Sequence, residues 1–271
     1  MNDKYLISYH ANTLTIQNWH GQSKSLSVPS LSCMKLSDYL ILGTELGKIL
    51  MYTLDGLLIC TFEAHYQMIS AIEVNQYYIL TASSDGSVKV WYLDQVLSRS
   101  FQTVDEYMHS LGVTRIRLWN NTFYISSNDK HLKVYRDKLI EEYTFDHGIM
   151  DFDIGIYGIC VCLSDGSVGT FKDNKFKLVS TMASCRYILW SGQNIICSST
   201  STCNMISLQG DLIFNKSIDN ISGIALMPLF KTNVSKKDLP VFSRNVQPIE
   251  KLLCVEKMTY NSEEFIQAVL R

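Results

Sequence analysis

The sequence predicts an all-β fold: a propeller of six four-stranded blades followed by a short C-terminal helical extension. Three observations predict it. Short apolar segments come in groups of four. Turn residues such as Ser-Asp-Gly and Asn-Asp-Lys recur at the same place within the groups. The groups repeat every ~36–40 residues, the spacing of four-stranded blades. One such unit alone would leave an apolar face in water, so the units must stack.

Taken in order, residues 4–28 supply three strands, Tyr5–Tyr9, Thr13–Trp19 and Lys24–Val28. Their innermost partner is missing locally. Ile221–Met227 has the character of such a strand and nothing beside it to pair with, so joining the two closes the ring. The second unit is Cys33–Leu36, Tyr39–Thr44, Gly47–Tyr52 and Leu57–Phe62. The clearest unit is the third: Ile69–Val74, Tyr77–Ala82, a turn over Ser83–Ser87, Val88–Leu93, and a more polar strand near Arg99–Val104. The fourth is Val113–Leu118, Phe123–Ser127, Leu132–Tyr135 and Leu139–Tyr143. The fifth is Ile149–Asp153, Gly158–Cys162, Val168–Phe171 and Phe176–Ser180. The last and weakest is Arg186–Trp190, Asn194–Cys197, Asn204–Ser207 and Leu212–Phe214. The propeller then spans 1–227 and the extension 228–271. A helix is predicted near 262–270, capped by Asn261 or Ser262. Its apolar stripe is Phe265, Ile266, Val269 and Leu270, which packs back on the propeller or docks on a partner.

With 46% hydrophobic and 18% charged residues, the 271-residue chain has the composition of a folded protein. A net charge of −2 gives the whole molecule no pull toward nucleic acid or an anionic membrane. The eight cysteines form no Cys-x-x-Cys pair and match no zinc spacing. Several, such as Cys160 and Cys162, sit in apolar runs and read as small buried hydrophobes. Reduced thiols suit the cytosol or nucleus. The N-terminus lacks the pattern of a signal peptide, and no apolar run approaches the ~18–20 residues of a membrane helix. A soluble intracellular chain without membrane contact is the expectation.

The candidate site residues recur with the repeat. In the third unit His65 precedes the inner strand, Asp85 lies in the tight turn and Trp91 follows six residues later, with Ser83 as a candidate hydroxyl between them. This resembles the WD-repeat hydrogen-bond network, in which buried Asp, His and Trp satisfy one another. A catalytic triad uses similar residue types, but the Asp-x5-aromatic spacing returns as Asp129…Tyr135 and Asp165…Phe171, and a catalytic residue has no reason to recur blade by blade. His109 and His147 also precede inner strands and read as structural. Tyr52 and Phe171 replace the Trp, and Leu46 replaces the turn Asp of the second unit. There is no phosphate-binding Gly-rich loop, zinc-protease or esterase motif. A propeller enzyme would need charged residues from several inner strands around the channel, and these strands read as mainly apolar, Asp151 and Asp153 excepted. The expectation is a binding module without cofactor or metal.

Longer stretches carry a further resemblance. Thr61–Ser70, with its Ala-His-Tyr-Gln junction, Val90–Leu97, His109–Thr114, Tyr143–Phe152, Leu163–Val168, Asn220–Leu226 and the tail through Pro240 and Pro248 resemble one WD-repeat family. It is the subunit of the ribosome-maturation complex that acts on the large-subunit precursor, named for processing of internal transcribed spacer 2. Gly112 stands where that family has Pro, and six blades are predicted against its seven. The resemblance implies a non-enzymatic scaffold of the nucleolus and nucleoplasm. Its implied partners are a helical-repeat scaffold protein of the same complex, a Midasin-like AAA ATPase, and the pre-60S particle with its rRNA, with two copies per complex possible. The alternative is a WD-repeat module of another complex, such as a ubiquitin-ligase receptor, a trafficking coat or a chromatin or pre-replication complex, with a cytoplasmic location if that alternative holds. Two regions are candidate contacts. Arg115, Arg117, Lys130, Lys133, Arg136 and Lys138 make the fourth blade basic, and Arg115 and Arg117 share a strand face that meets RNA phosphate or only water. Ser98–His109, with Arg99, Phe101, Asp105, Glu106 and Tyr107, is long for a blade connection.

Overall fold

In a computed structural model, which describes residues 5–10, 12–18, 22–136, 138–173, 175–217 and 251–252, the predicted repeats are six four-stranded antiparallel sheets. The first blade takes β1 (Tyr5–His10), β2 (Thr13–Asn18) and β3 (Ser23–Ser27) from the start of the chain. The second is β4 (Leu31–Leu36), β5 (Leu40–Thr44), β6 (Lys48–Tyr52) and β7 (Leu58–Glu63). The third is β8 (Ile69–Val74), β9 (Tyr78–Ser83), β10 (Ser87–Tyr92) and, after a short helix α1 (Leu93–Leu97), β11 (Thr103–Met108). The fourth is β12 (Val113–Trp119), β13 (Thr122–Ser127), β14 (His131–Tyr135) and β15 (Leu139–Thr144). The fifth is β16 (Ile149–Gly155), β17 (Gly158–Leu163), β18 (Ser167–Lys172) and β19 (Lys175–Thr181). The sixth is β20 (Tyr187–Ser191), β21 (Asn194–Ser198), β22 (Thr202–Ser207) and β23 (Leu212–Ser217). The inner place beside β1 is taken by β24 (Lys251–Leu252), with Ser8 opposite Leu252 and Tyr9 opposite Lys251. Ile221–Met227, the strand expected there, lies outside the described residues, as does the predicted helix with Phe265, Ile266, Val269 and Leu270.

Burial follows position in the blade. The second strand of a blade is covered on both faces, so β5 is buried along its whole length and reads as an apolar run. The outer strands β15 and β23 are largely exposed. The core is a series of clusters between neighbouring blades. Ile41, Ile49, Phe62, Ile69, Ile72 and Trp91 fill one between the second and third. Cys160, Cys162, Cys185, Trp190, Cys197 and Ile206 fill another between the fifth and sixth. The described cysteines are all free and buried, as their apolar settings predict. Inner strands β4, β8, β12 and β16 each carry a register shift near their start, at Leu31/Cys33, Ile69/Ala71, Val113/Arg115 and Ile149/Asp151.

The third blade differs from the sequence expectation. Its outer strand begins at Thr103, not near Arg99, because α1 occupies the connection. Phe101 stacks on Phe62 with ring centroids 4.5 Å apart, and the Arg99 guanidinium donates to the Ile59 carbonyl. The long connection is therefore fastened to the second blade. Among the described residues no helix is long and apolar enough to cross a membrane.

Candidate functional site

Strands of a four-stranded meander alternate in direction. The turn between the second and third strands and the connection to the next blade therefore emerge at the same end of the blade, here called the turn face. His65 and Asp85 meet just beneath it. The His65 Nδ1 is 2.8 Å from the Ser87 hydroxyl, which donates to Asp85 Oδ1 at 2.6 Å. Nε2 is 2.8 Å from the Thr81 hydroxyl, and that oxygen accepts the Trp91 indole N–H at 3.0 Å. An indole only donates. The tautomer with its proton on Nδ1 therefore satisfies every group in turn: Trp91 to Thr81, Thr81 to His65, His65 to Ser87, Ser87 to Asp85. Burial pushes the imidazole down to about 4, against the pull of Asp85. Burial alone would raise the Asp85 carboxyl, but hydrogen bonds from Ser87 and the Tyr66 backbone hold it below its ordinary value. The structure corrects one assignment. The hydroxyl between His and Trp is Thr81, while Ser83 bonds the Gln67 carbonyl and the Asp85 amide. Both face the same way on β9, and Thr81 is the nearer of the two to Ile79, the register partner of Trp91.

The other blades replace this network stepwise. In the fourth, Asp129 receives His109 Nδ1 at 3.0 Å, but Ile125 stands where Thr81 does and Tyr135 where Trp91 does. His109 Nε2 is left buried without a hydrogen-bond partner. In the fifth, Phe145 fills the histidine position, Val161 the threonine and Phe171 the tryptophan, with the Phe145 and Phe171 rings 5.3 Å apart. His147, read from sequence as structural, is half exposed, 3.6 Å from Asp165. Asp165 still closes its turn by accepting from the Ser167 amide and hydroxyl.

The channel wall departs from the mainly apolar expectation. Inner strands contribute a belt of ion pairs across neighbouring blades. Lys35 on β4 meets Glu73 on β8 at 2.6 Å. Arg117 on β12 lies 3.8 Å from Glu73, 3.7 Å from Asp151 and 3.5 Å from Asp153. Arg115 holds Asp151 with two bonds, 2.7 and 3.1 Å. Burial would lower the Arg115 guanidinium, but Asp151 outweighs it and raises it above its ordinary value. On the far side Asp151 and Asp153 accept the Ile188 and Trp190 amides of β20. Three cations face three anions. Each is engaged with a neighbouring blade, so the belt ties the second to sixth blades together around the channel.

The predicted basic contact set is not one surface. Arg115 and Arg117 lie on the channel wall. Lys133 on β14 donates to the Met108 carbonyl and lies 3.8 Å from Glu142, and Arg136 reaches the Thr122 hydroxyl. Shared strand parity placed Arg115 and Arg117 together correctly, but inner and third strands of one blade face different surroundings. Among the described residues no group of three or more His, Cys, Asp or Glu is arranged to hold a metal.

What the sequence did not single out is apolar and exposed. Tyr66 is 94% exposed and Leu46 71%, with Met68, Met108 and Leu111 also in solvent. All belong to the turn face of blades two to four. Backbone contacts make the surface continuous. Gly47, with φ +78°, lies so close to the His65 carbonyl that no side chain fits, which holds the Leu46 turn against the Tyr66 loop. The Ser84 amide donates to the Met68 carbonyl, and Gly112 packs on Ser84. The Tyr66 amide donates to Asp85, and Lys89, anchored on the Ala64 carbonyl, lies 5.8 Å from the Tyr66 ring centre. The loop backbone is bolted down while its aromatic side chain stands in water.

No family model matches the chain, and no curated protein is significantly similar to it. Solved structures share its fold. The crystal structure of the computationally designed Ika8 protein superposes with a TM-score of 0.63 at 14% identity, covering 82% of this chain and 77% of that one. The structure of U3-55K superposes with a TM-score of 0.66 at 16% identity, covering 81% of this chain and 80% of that one. These likenesses show a β-propeller fold, built among the described residues from six four-stranded sheets, and the network around His65 matches the hydrogen-bond pattern of a WD-repeat blade.

Proposed function

We propose that this chain is a non-catalytic scaffold that holds a protein partner on the turn face of blades two to four. The observation that carries the reading is Tyr66, an aromatic side chain almost wholly in solvent on a loop whose backbone is fixed by Asp85, Gly47 and Lys89. A rigid exposed aromatic among Leu and Met has little to contribute to folding and much to contribute to an interface. The candidate acid–base groups are spent elsewhere. His65 is neutral with both nitrogens bonded, and the channel charges pair across blades.

Within that role, the finer proposal is a subunit of the large-ribosomal-subunit maturation complex, alongside a helical-repeat scaffold and a Midasin-like ATPase. Its support is the resemblance of Thr61–Ser70, the segment that displays Tyr66. Affinity purification of the tagged chain with mass spectrometry, wild type against Tyr66→Ser, tests both levels. Recovery of pre-60S proteins that Tyr66→Ser loses, with spacer-containing precursor RNA accumulating on depletion, is the expected result. Tyr66-dependent recovery of an unrelated complex would keep the scaffold and discard the ribosomal role.

A further inference from the structure

Resting on the scaffold reading, we infer that the partner segment received by the turn face is an apolar stretch interspersed with Lys or Arg. The inference comes from the charges around the patch. Two of its lysines already have acidic neighbours: Lys48 lies 3.3 Å from Glu63, and Lys89 lies 4.0 Å from Glu106 with its ammonium on the Ala64 carbonyl. The carboxylates are not all neutralised. Glu45, exposed beside Leu46, has no ion-pair partner among the described residues. Asp85 and Asp129 face imidazoles that burial keeps neutral, so each retains its negative charge directly beneath the Tyr66 and Leu111 loops. Lys130, exposed in the turn of the fourth blade, is the one opposing charge without an acidic partner in this set. Three anions against one cation bias the face toward a basic segment.

The apolar surface sets the rest of the chemistry. Leu46, Met68, Met108 and Leu111 accept aliphatic or aromatic side chains, and methionines adapt their shape to what they meet. One face of the Tyr66 ring is approached by Lys89, and the opposite face is open to an incoming guanidinium. An RNA backbone fits poorly here, because phosphate would meet Glu45 at the surface and the charges of Asp85 and Asp129 beneath the loops.

The test is a random-peptide display selection on the full chain, after pre-clearing the library on the Tyr66→Ser variant. Enriched peptides are then synthesised and titrated by fluorescence anisotropy. Circular dichroism confirms that the variants are folded. The expected result is peptides that join Leu, Met or aromatic residues with Lys or Arg. Tyr66→Ser should weaken their binding at least tenfold, and Glu45→Lys several-fold, the latter effect shrinking in high salt. Tyr77→Ser, at an exposed residue on the opposite face, should leave binding unchanged. Tyr66-dependent binders that are acidic or uncharged would overturn the basic-partner inference and leave the scaffold reading standing. Failure to enrich any Tyr66-dependent peptide would count against both.

Discussion

Thr81→Val isolates the hydrogen-bond relay of the third blade. Valine matches threonine in shape, and Val161 occupies the same place in the fifth blade beside Phe145, so the substitution fits. It removes the one oxygen that both His65 Nε2 and Trp91 Nε1 reach. Trp91 Nε1 is then left without a partner in the buried interior, at a cost of about 1–3 kcal/mol, while His65 Nε2 keeps the Thr81 carbonyl 3.1 Å away and loses one net bond of about 1 kcal/mol. The expected loss is therefore about 2–4 kcal/mol. At about 2–4 °C per kcal/mol for a domain of this size, the calorimetric midpoint should fall by roughly 4–16 °C. Thr81→Ser is the control. It keeps the oxygen and loses one methyl, worth about 1 kcal/mol. A Thr81→Val midpoint within a degree of Thr81→Ser would rule out the relay as the source of the cost and leave packing as its source.

Three further outcomes follow from the same geometry. Ile125→Thr offers His109 Nε2 the hydroxyl it lacks, so it should be close to neutral, while Val161→Thr places a hydroxyl beside Phe145 and should cost about 1–3 kcal/mol; chemical denaturation of the pair compares them. Asp151→Asn leaves Arg115 without its carboxylate and should cost toward the lower end of ~3–5 kcal/mol, since Arg115 still has 23% of its side chain in solvent; Lys35→Met leaves Glu73 its second cation, Arg117 at 3.8 Å, and should cost less, about 1 kcal/mol. Stability should also fall with acid. The unfolded His65 takes up a proton near pH 6.5 and the folded one only near 4, so the folded state loses on the order of 3 kcal/mol between those values, with His109 acting in the same direction. A midpoint unchanged between pH 7 and pH 5 would contradict the assignment of buried neutral imidazoles.

The blades were legible because each strand type has its own pattern: covered middle strands read as apolar runs, and the Asp-x5-aromatic turns mark the register. The channel belt was not. Lys35, Glu73, Arg117 and Asp151 lie far apart in sequence, and the register shifts near the starts of their strands break simple alternation. Thr81 was missed because Ser83, two residues on, shares its strand face and residue class. Phe145 was missed because His147, nearby in the same connection, looked like the expected histidine. The exposed patch has no periodicity at all. It exists only where Leu46, in a turn of the second blade, meets Tyr66 and Leu111, in the connections that follow the second and third blades.

The pairing of Ser8 and Tyr9 with Leu252 and Lys251 has a consequence for synthesis. Blades two to six are each continuous in the chain, so each can form its sheet soon after it leaves the ribosome. The first blade cannot. Its three strands precede the other five blades and must wait, with an inner edge unpaired, until residues 251–252 have been made. A nascent chain stalled before residue 251 would carry five finished sheets and one open strand edge, a template for pairing with another chain during translation.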